Sequence, residues 1–202
     1  MSAPDWREKV VEYIRAEAQP EDKFGHQPRL YALACRIGQG LHYDDDILFA
    51  AAWMHDLGVF LGHRPADPAE LAKWDHVPYT VEHTHVLLTN WGFPVEKLDE
   101  IEEVIRTHQP KDSPDIIEAV LLRDADILEQ LGAIGIARTL VKVGRDTRYQ
   151  NFSSVLPVLR AAISDLPSKL RLAAATEMAA ERVEALRLFV TSLEKEANGL
   201  LY

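Results

Sequence analysis

The sequence has almost no cysteine. Cys35 stands alone among 202 residues, which excludes an internal disulfide and fits a reducing compartment. Positive charge is also scarce, with 22 Lys and Arg against 32 Asp and Glu and a formal net charge of -10. That balance argues against a general nucleic-acid surface or an anionic-membrane surface, both of which want a positive field. No apolar run approaches the roughly 20 residues needed to span a bilayer. The first residues, Met1 to Lys9, are polar and lack the apolar core of a secretory signal, so a cytoplasmic chain is expected. Internal repeats, low-complexity tracts and convincing two-residue alternation are missing as well, leaving helical periodicity as the dominant pattern.

What remains is the balance of a globular protein, 47% apolar and 27% charged, long enough for a real core. Trp6 to Glu17 reads as a first helix. Pro28 suits a first helical turn, and Leu30, Leu33, Ala34 and Ile37 recur on one face until Gly38 and Gly40. Asp44 to Asp46 supply caps for a third helix through Leu57, stopped by Gly58. Gly62 to Asp75 is a loop rich in proline and charge. Helices follow at Tyr79 to Trp91, Val95 to Thr107, Asp115 to Gln130 and Ala133 to Val143. Ser168 to Ala197 closes the chain with Leu186, Phe189, Val190 and Leu193 on one stripe, compatible with a homodimer surface. The expectation is all-α, a single domain over 1–202.

Chemistry concentrates at His55-Asp56, which closes the apolar run from Ile47 to Met54. A carboxylate beside an imidazole is costly to bury unless something pairs with it. A divalent cation takes both groups as ligands. His26 stands at the start of the second helix, His76 opens the helix after the long loop, and His108 closes the next one. Ligands at helix ends are what a bundle needs when several helices converge on one ion. A thiolate site is excluded because Cys35 is alone. Each residue also has an ordinary reading: His26 as a polar helix start, His76 as a loop residue, His108 as a partner of a helix C-terminus. His83 rivals His76, since positions 76, 80, 83 and 87 share a helical face. Asp124 and Asp126 cannot both face one ion. His42, His63 and His85 read as surface or packing residues.

In this order the residues resemble the HD-domain superfamily of metal-dependent phosphohydrolases, whose pattern is a His, a later His-Asp pair and a distant Asp. The text around each fits: His26-Gln27-Pro28-Arg29, Ala51-Ala52-Trp53-Met54-His55-Asp56-Leu57-Gly58, and Arg123-Asp124-Ala125-Asp126-Ile127-Leu128. The resemblance covers about 20–140 and implies an HD-like helical bundle, with about 150–202 as a C-terminal helical extension. It makes His26, His55, Asp56 and Asp126 the ligands of a divalent metal, with His76 and His108 where some members hold a second ion. It is the resemblance that selects Asp126 over Asp124.

The implied activity is hydrolysis of a small phosphorylated substrate, nucleotide-like or otherwise, by water activated on one or two ions of Mn, Fe, Co, Ni, Mg or Zn. Asp56 would bridge the ions or orient the water. Phosphoryl transfer needs positive charge around the developing oxyanions. Arg29, one helical turn from His26, is the catalytic candidate. Arg138, Lys142 and Arg145, at spacings of four and three, read as one basic face with Arg148 beyond it. Of these, Lys142, Arg145 and Arg148 join Arg29 as candidates for binding substrate. Two other readings stay open: a diiron oxygenase of the same superfamily, and a non-catalytic metal-binding or sensing module.

Overall fold

The computed structural model describes residues 5–145 and 149–202, and every regular element among them is helical, as the periodicity predicts. Two units form, one ending at Arg123 and one spanning Asp124–Tyr202. No helix among the described residues is long and apolar enough to cross a membrane.

In the first unit, α1 (Trp6–Glu17) starts on a capping box between Asp5 and Glu8. α2 (His26–Ile37) buries Leu30, Leu33, Ala34 and Ile37, the face its sequence marks. α3 (Asp45–Met54) is buried all round from Ile47 to Met54, the pattern of a helix at the centre of its unit. Its N-terminus is capped by Asp44, which accepts the backbone N–H of Asp46 at 2.9 Å and of Ile47 at 3.3 Å. The helix ends three residues before the expected stop. The imidazole of His55 donates from Nδ1 to the Ala52 carbonyl at 3.1 Å, and the chain turns at Asp56 into a short 3-10 segment, Leu57–Val59.

The loop after Gly62 contains one helical turn, α4 (Pro68–Leu71). α5 (His76–Trp91) starts on Asp75, whose carboxylate accepts the Val77 N–H at 3.1 Å. α6 (Leu98–Arg106) follows a 3-10 turn and turns Leu98, Ile101, Val104 and Ile105 inward. α1, α2 and α6 pack on α3, and α5 packs on α1 and α6. A charge network ties the start of α1, the start of α3 and the turn before α6. Arg7 pairs with Asp45 at 2.9 Å and Asp46 at 2.5 Å, and Lys97 pairs with Asp44 at 2.7 Å and Asp46 at 3.0 Å.

The boundary between units falls inside α7 (Ile117–Glu129). The second unit continues with α8 (Gly132–Leu140), α9 (Leu156–Asp165) and α10 (Ala173–Ala197), and α10 packs on both α8 and α9. α9 lies within the helical extension expected at about 150–202, ahead of the one segment marked there from Ser168; Pro157 falls in its first turn, where proline is tolerated. α8 stops at Leu140, so the helical spacing of Arg138, Lys142 and Arg145 is broken before Lys142. Gly132 has a positive φ of 66°, and a Cβ there would meet the Cβ of Arg182 at 3.1 Å. Arg182 crosses from α10 to donate to the Leu128 carbonyl at 2.6 Å. Asp124, wholly buried, accepts the backbone N–H groups of Arg171 at 2.9 Å and Leu172 at 2.8 Å and so fixes the start of α10. Leu186 and Val190 of the C-terminal stripe are buried, while Phe189 and Leu193 are half-buried.

Candidate metal centre

Four imidazoles gather around one carboxylate in the first unit. His26 is the first residue of α2, His55 caps the end of α3, His76 opens α5, and His108 lies two residues past the end of α6. Asp56 sits in the turn that the early end of α3 creates. The ring centroids of His26 and His55 are 5.3 Å apart, those of His55 and His108 5.0 Å, and those of His76 and His108 5.6 Å. His26, His55 and His108 are 4%, 1% and 3% exposed, whereas Asp56 and His76 keep side-chain exposures of 19% and 18%.

The spacing around Asp56 suits a shared ion better than direct pairing. Asp56 Oδ2 lies 3.8 Å from His26 Nε2, while Oδ1 lies 3.7 Å from His55 Nε2 and 3.6 Å from His76 Nε2. These separations are too long for hydrogen bonds. Around one ion with bonds of about 2.1 Å, neighbouring ligand atoms stand roughly 3 to 3.5 Å apart and opposite ones roughly 4.2 Å. Among the described residues two ligand sets have all their donor atoms within 4.8 Å of one another: His26, His55 and Asp56, and Asp56, His76 and His108. Both contain Asp56.

The imidazoles are oriented from behind. His55 donates from Nδ1 to Ala52, and His108 from Nδ1 to the Ile105 carbonyl at 2.6 Å. Each bond fixes the tautomer and turns Nε2, the lone-pair nitrogen, to the cluster. Burial pushes the Asp56 carboxyl up, but the fields of His55, His26, His76 and Lys23 outweigh it and hold Asp56 well below the usual carboxylate range. The donor set, imidazole nitrogen with one ionised carboxylate, is that of a borderline divalent cation.

Gly58 positions His76, a role that the reading of Gly58 as a helix stop misses. A Cβ on Gly58 would meet the His76 carbonyl oxygen at 2.8 Å, so only glycine lets the first turn of α5 lie against the His-Asp turn. Gly58 N–H donates to Thr80 Oγ1 at 3.0 Å, and Trp74 Nε1–H donates to the Gly58 carbonyl at 2.8 Å. The neighbouring loop is held by His63, which donates from Nε2 to Glu17 at 3.0 Å and accepts at Nδ1 from the Tyr79 hydroxyl at 2.8 Å. His83 turns elsewhere: Nδ1 donates to the Tyr79 carbonyl at 2.9 Å, and its ring stacks on Tyr79 at 3.7 Å. The geometry therefore brings His76, and not His83, beside Asp56.

Arg29 is exposed on α2, and a Cβ on Gly25 would meet its Nη1 at 2.8 Å. Asp126 belongs to the second unit, where Gln130 Nε2 donates to its carboxylate at 3.1 Å and Arg138 Nη1 stands 3.8 Å away. Lys142 lines a cavity beside Arg138, Arg145 is exposed after Gly144, and Arg148 lies outside the described residues. His85 is exposed and donates to Glu102 at 2.6 Å, and His42 is exposed.

A family model for the HD domain matches residues 24–131. The uncharacterised Bacillus subtilis protein YpgQ is 26% identical over 198 residues, covering 94% of this chain and 91% of its own. The crystal structure of YpgQ in complex with ADP matches with a TM-score of 0.70 at 24% identity, covering 94% of this chain and 97% of that one. A crystal structure of an HD-superfamily hydrolase from Bacillus thuringiensis matches with a TM-score of 0.67 at 21% identity, covering 95% of this chain and 96% of its own. At these identities the structural matches establish the fold.

Proposed function

The chain belongs to the HD domain family, and from that premise we propose that it is a metal-dependent phosphohydrolase of a small, nucleotide-like phosphorylated compound. The observation that carries this reading is the pair of ligand sets that share Asp56. His26, His55 and Asp56 would hold one divalent cation, and Asp56, His76 and His108 a second. The family pattern alone adds Asp126 to the ligands. A divalent cation in such a site lowers the pKa of water and polarises a phosphoryl oxygen. The chain supplies the rest. Asp56, with Oδ2 toward His26 and Oδ1 toward His55 and His76, is the carboxylate that links the two sets and can orient the attacking water. Arg29 and the cations Lys142, Arg145 and Arg148 would neutralise the phosphate and the charge that develops on it. The relative YpgQ, crystallised with ADP, supports a nucleotide-like ligand.

Elemental analysis of the purified chain beside Asp56→Ala and His76→Ala tests the centre. One or two divalent transition-metal ions per chain are expected, lost in Asp56→Ala and reduced in His76→Ala, together with turnover across a phosphoester panel that Asp56→Ala abolishes at unchanged helical content. No metal after reconstitution with Mn, Fe, Co and Zn sinks the reading. Iron content with O₂ consumption and no phosphoester turnover would favour the oxygenase instead.

A further inference from the structure

The second unit contains a small charged cavity of about 140 Å³, walled by Glu129, Gln130, Arg138, Lys142 and Tyr149 and backed by Leu159. Its size selects its ligand. At about 30 Å³ per water, it has room for about four or five waters. That accommodates a phosphorus with its oxygens and is too little for a nucleobase with its sugar.

Two cations, Arg138 and Lys142, and the hydroxyl-bearing Tyr149 belong to the lining, while the Gln130 amide is given to Asp126. Glu129, 2% exposed, serves Arg138 from behind: its carbonyl accepts from Arg138 Nη1 at 3.4 Å, and its carboxylate lies 3.7 Å from the same nitrogen. Nη1 is the guanidinium atom that protein groups engage among the described residues, so Arg138 is held in place with further donors uncommitted. A guanidinium fixed in this way is pre-organised for phosphate. Arg138 Nη1 also stands 3.8 Å from Asp126, whose carboxylate is steadied by Gln130. One side chain thus serves both the cavity and the carboxylate that the family pattern makes a metal ligand.

We propose that this cavity is a subsite for a phosphate group of the substrate, with Arg138 its principal anchor. The assignment of the phosphate to a substrate rests on the phosphohydrolase reading. The test titrates inorganic phosphate by calorimetry into full-length Asp56→Ala, which removes the metal centre as a competing site; chelator-treated wild type replaces it should that variant not fold. Arg138→Gln in that background should weaken phosphate binding by about tenfold or more, the loss expected for a hydrogen bond to a charged group. Arg138→Lys should retain part of the affinity, and Arg187→Gln, an exposed arginine of α10, all of it. In the metal-loaded chain Arg138→Gln should raise KM for a phosphoester more than it lowers kcat. Phosphate binding that depends on Arg138 in a chain without turnover removes the hydrolase reading and keeps the cavity. No phosphate binding through the millimolar range, or binding and KM indifferent to Arg138→Gln, overturns the cavity even where turnover is found.

Discussion

Replacing Gly58 by alanine should disturb the candidate metal centre more than it weakens the fold. The added Cβ would stand 2.8 Å from the His76 carbonyl oxygen, 3.0 Å from the His76 Cβ and 3.1 Å from Thr80 Oγ1. Comfortable contact requires about 3.5 Å, so the first turn of α5 must retreat by roughly half an ångström. Overpacking of this kind costs about 1–3 kcal/mol. Stiffening of the unfolded chain by alanine offsets about 0.4–1 kcal/mol of that. The net loss is about 1–2 kcal/mol, or about 2–8 °C in Tm for a chain of this length. The effect on the centre is sharper. His76 Nε2 lies 3.6 Å from Asp56 Oδ1, and metal–ligand distances tolerate changes of only about 0.2 Å. Gly58→Ala should therefore keep its helical circular dichroism, melt a few degrees early and lose the metal that depends on His76. Calorimetry and elemental analysis on the same preparation read both effects. An alanine variant with the wild-type Tm and metal content would refute the packing argument.

Asp46 should shape the acid limb of stability. A hydrogen bond from Arg7, helped by Lys97 and opposed by partial burial, holds its carboxyl below the ordinary range. A carboxyl with a depressed folded value adds stability above its unfolded value of about 3.9 and loses it as pH falls through the folded value. Because Asp46 is 35% exposed, its share should stay below about 1 kcal/mol. Urea unfolding should show Asp46→Asn weaker than wild type near neutrality and the gap closing on acidification below about pH 4; a gap constant with pH would count against it. Asp124→Ala removes the acceptor of two backbone N–H groups, each bond worth about 1.5–3 kcal/mol to a charged partner. Hydrogen exchange at Leu172 should accelerate and unfolding shift to lower urea, with Asp124→Asn intermediate; unchanged protection at Leu172 would contradict the capping role.

The local part of this architecture is legible in the sequence. α1 has the bounds that its periodicity predicts, and the histidines at helix ends are visible from the pattern of starts and stops. What stays hidden depends on residues far apart in the chain. The face shared by positions 76, 80 and 83 cannot choose between His76 and His83; the approach of Gly58 to His76 does, across 18 positions. The early end of α3 goes with the His55 side chain bonding the Ala52 carbonyl of the same helix, while the apolar character of Leu57 argues for continuation. Lys97 meeting Asp46 and Asp124 meeting Leu172 leave no periodic trace.

The HD domain match ends at residue 131, yet the bonds of Asp124 reach Arg171 and Leu172. The stretch that carries the family signature is thus shorter than the stretch that must be inherited together. A graft of the matched segment into another protein would bring along a carboxylate adapted to burial and leave behind two backbone donors that help make its burial tolerable. The last turns of α7, which also carry Asp126, would then have to open to water or recruit new donors. Recombination could exchange what lies beyond α10 more freely than α10 itself.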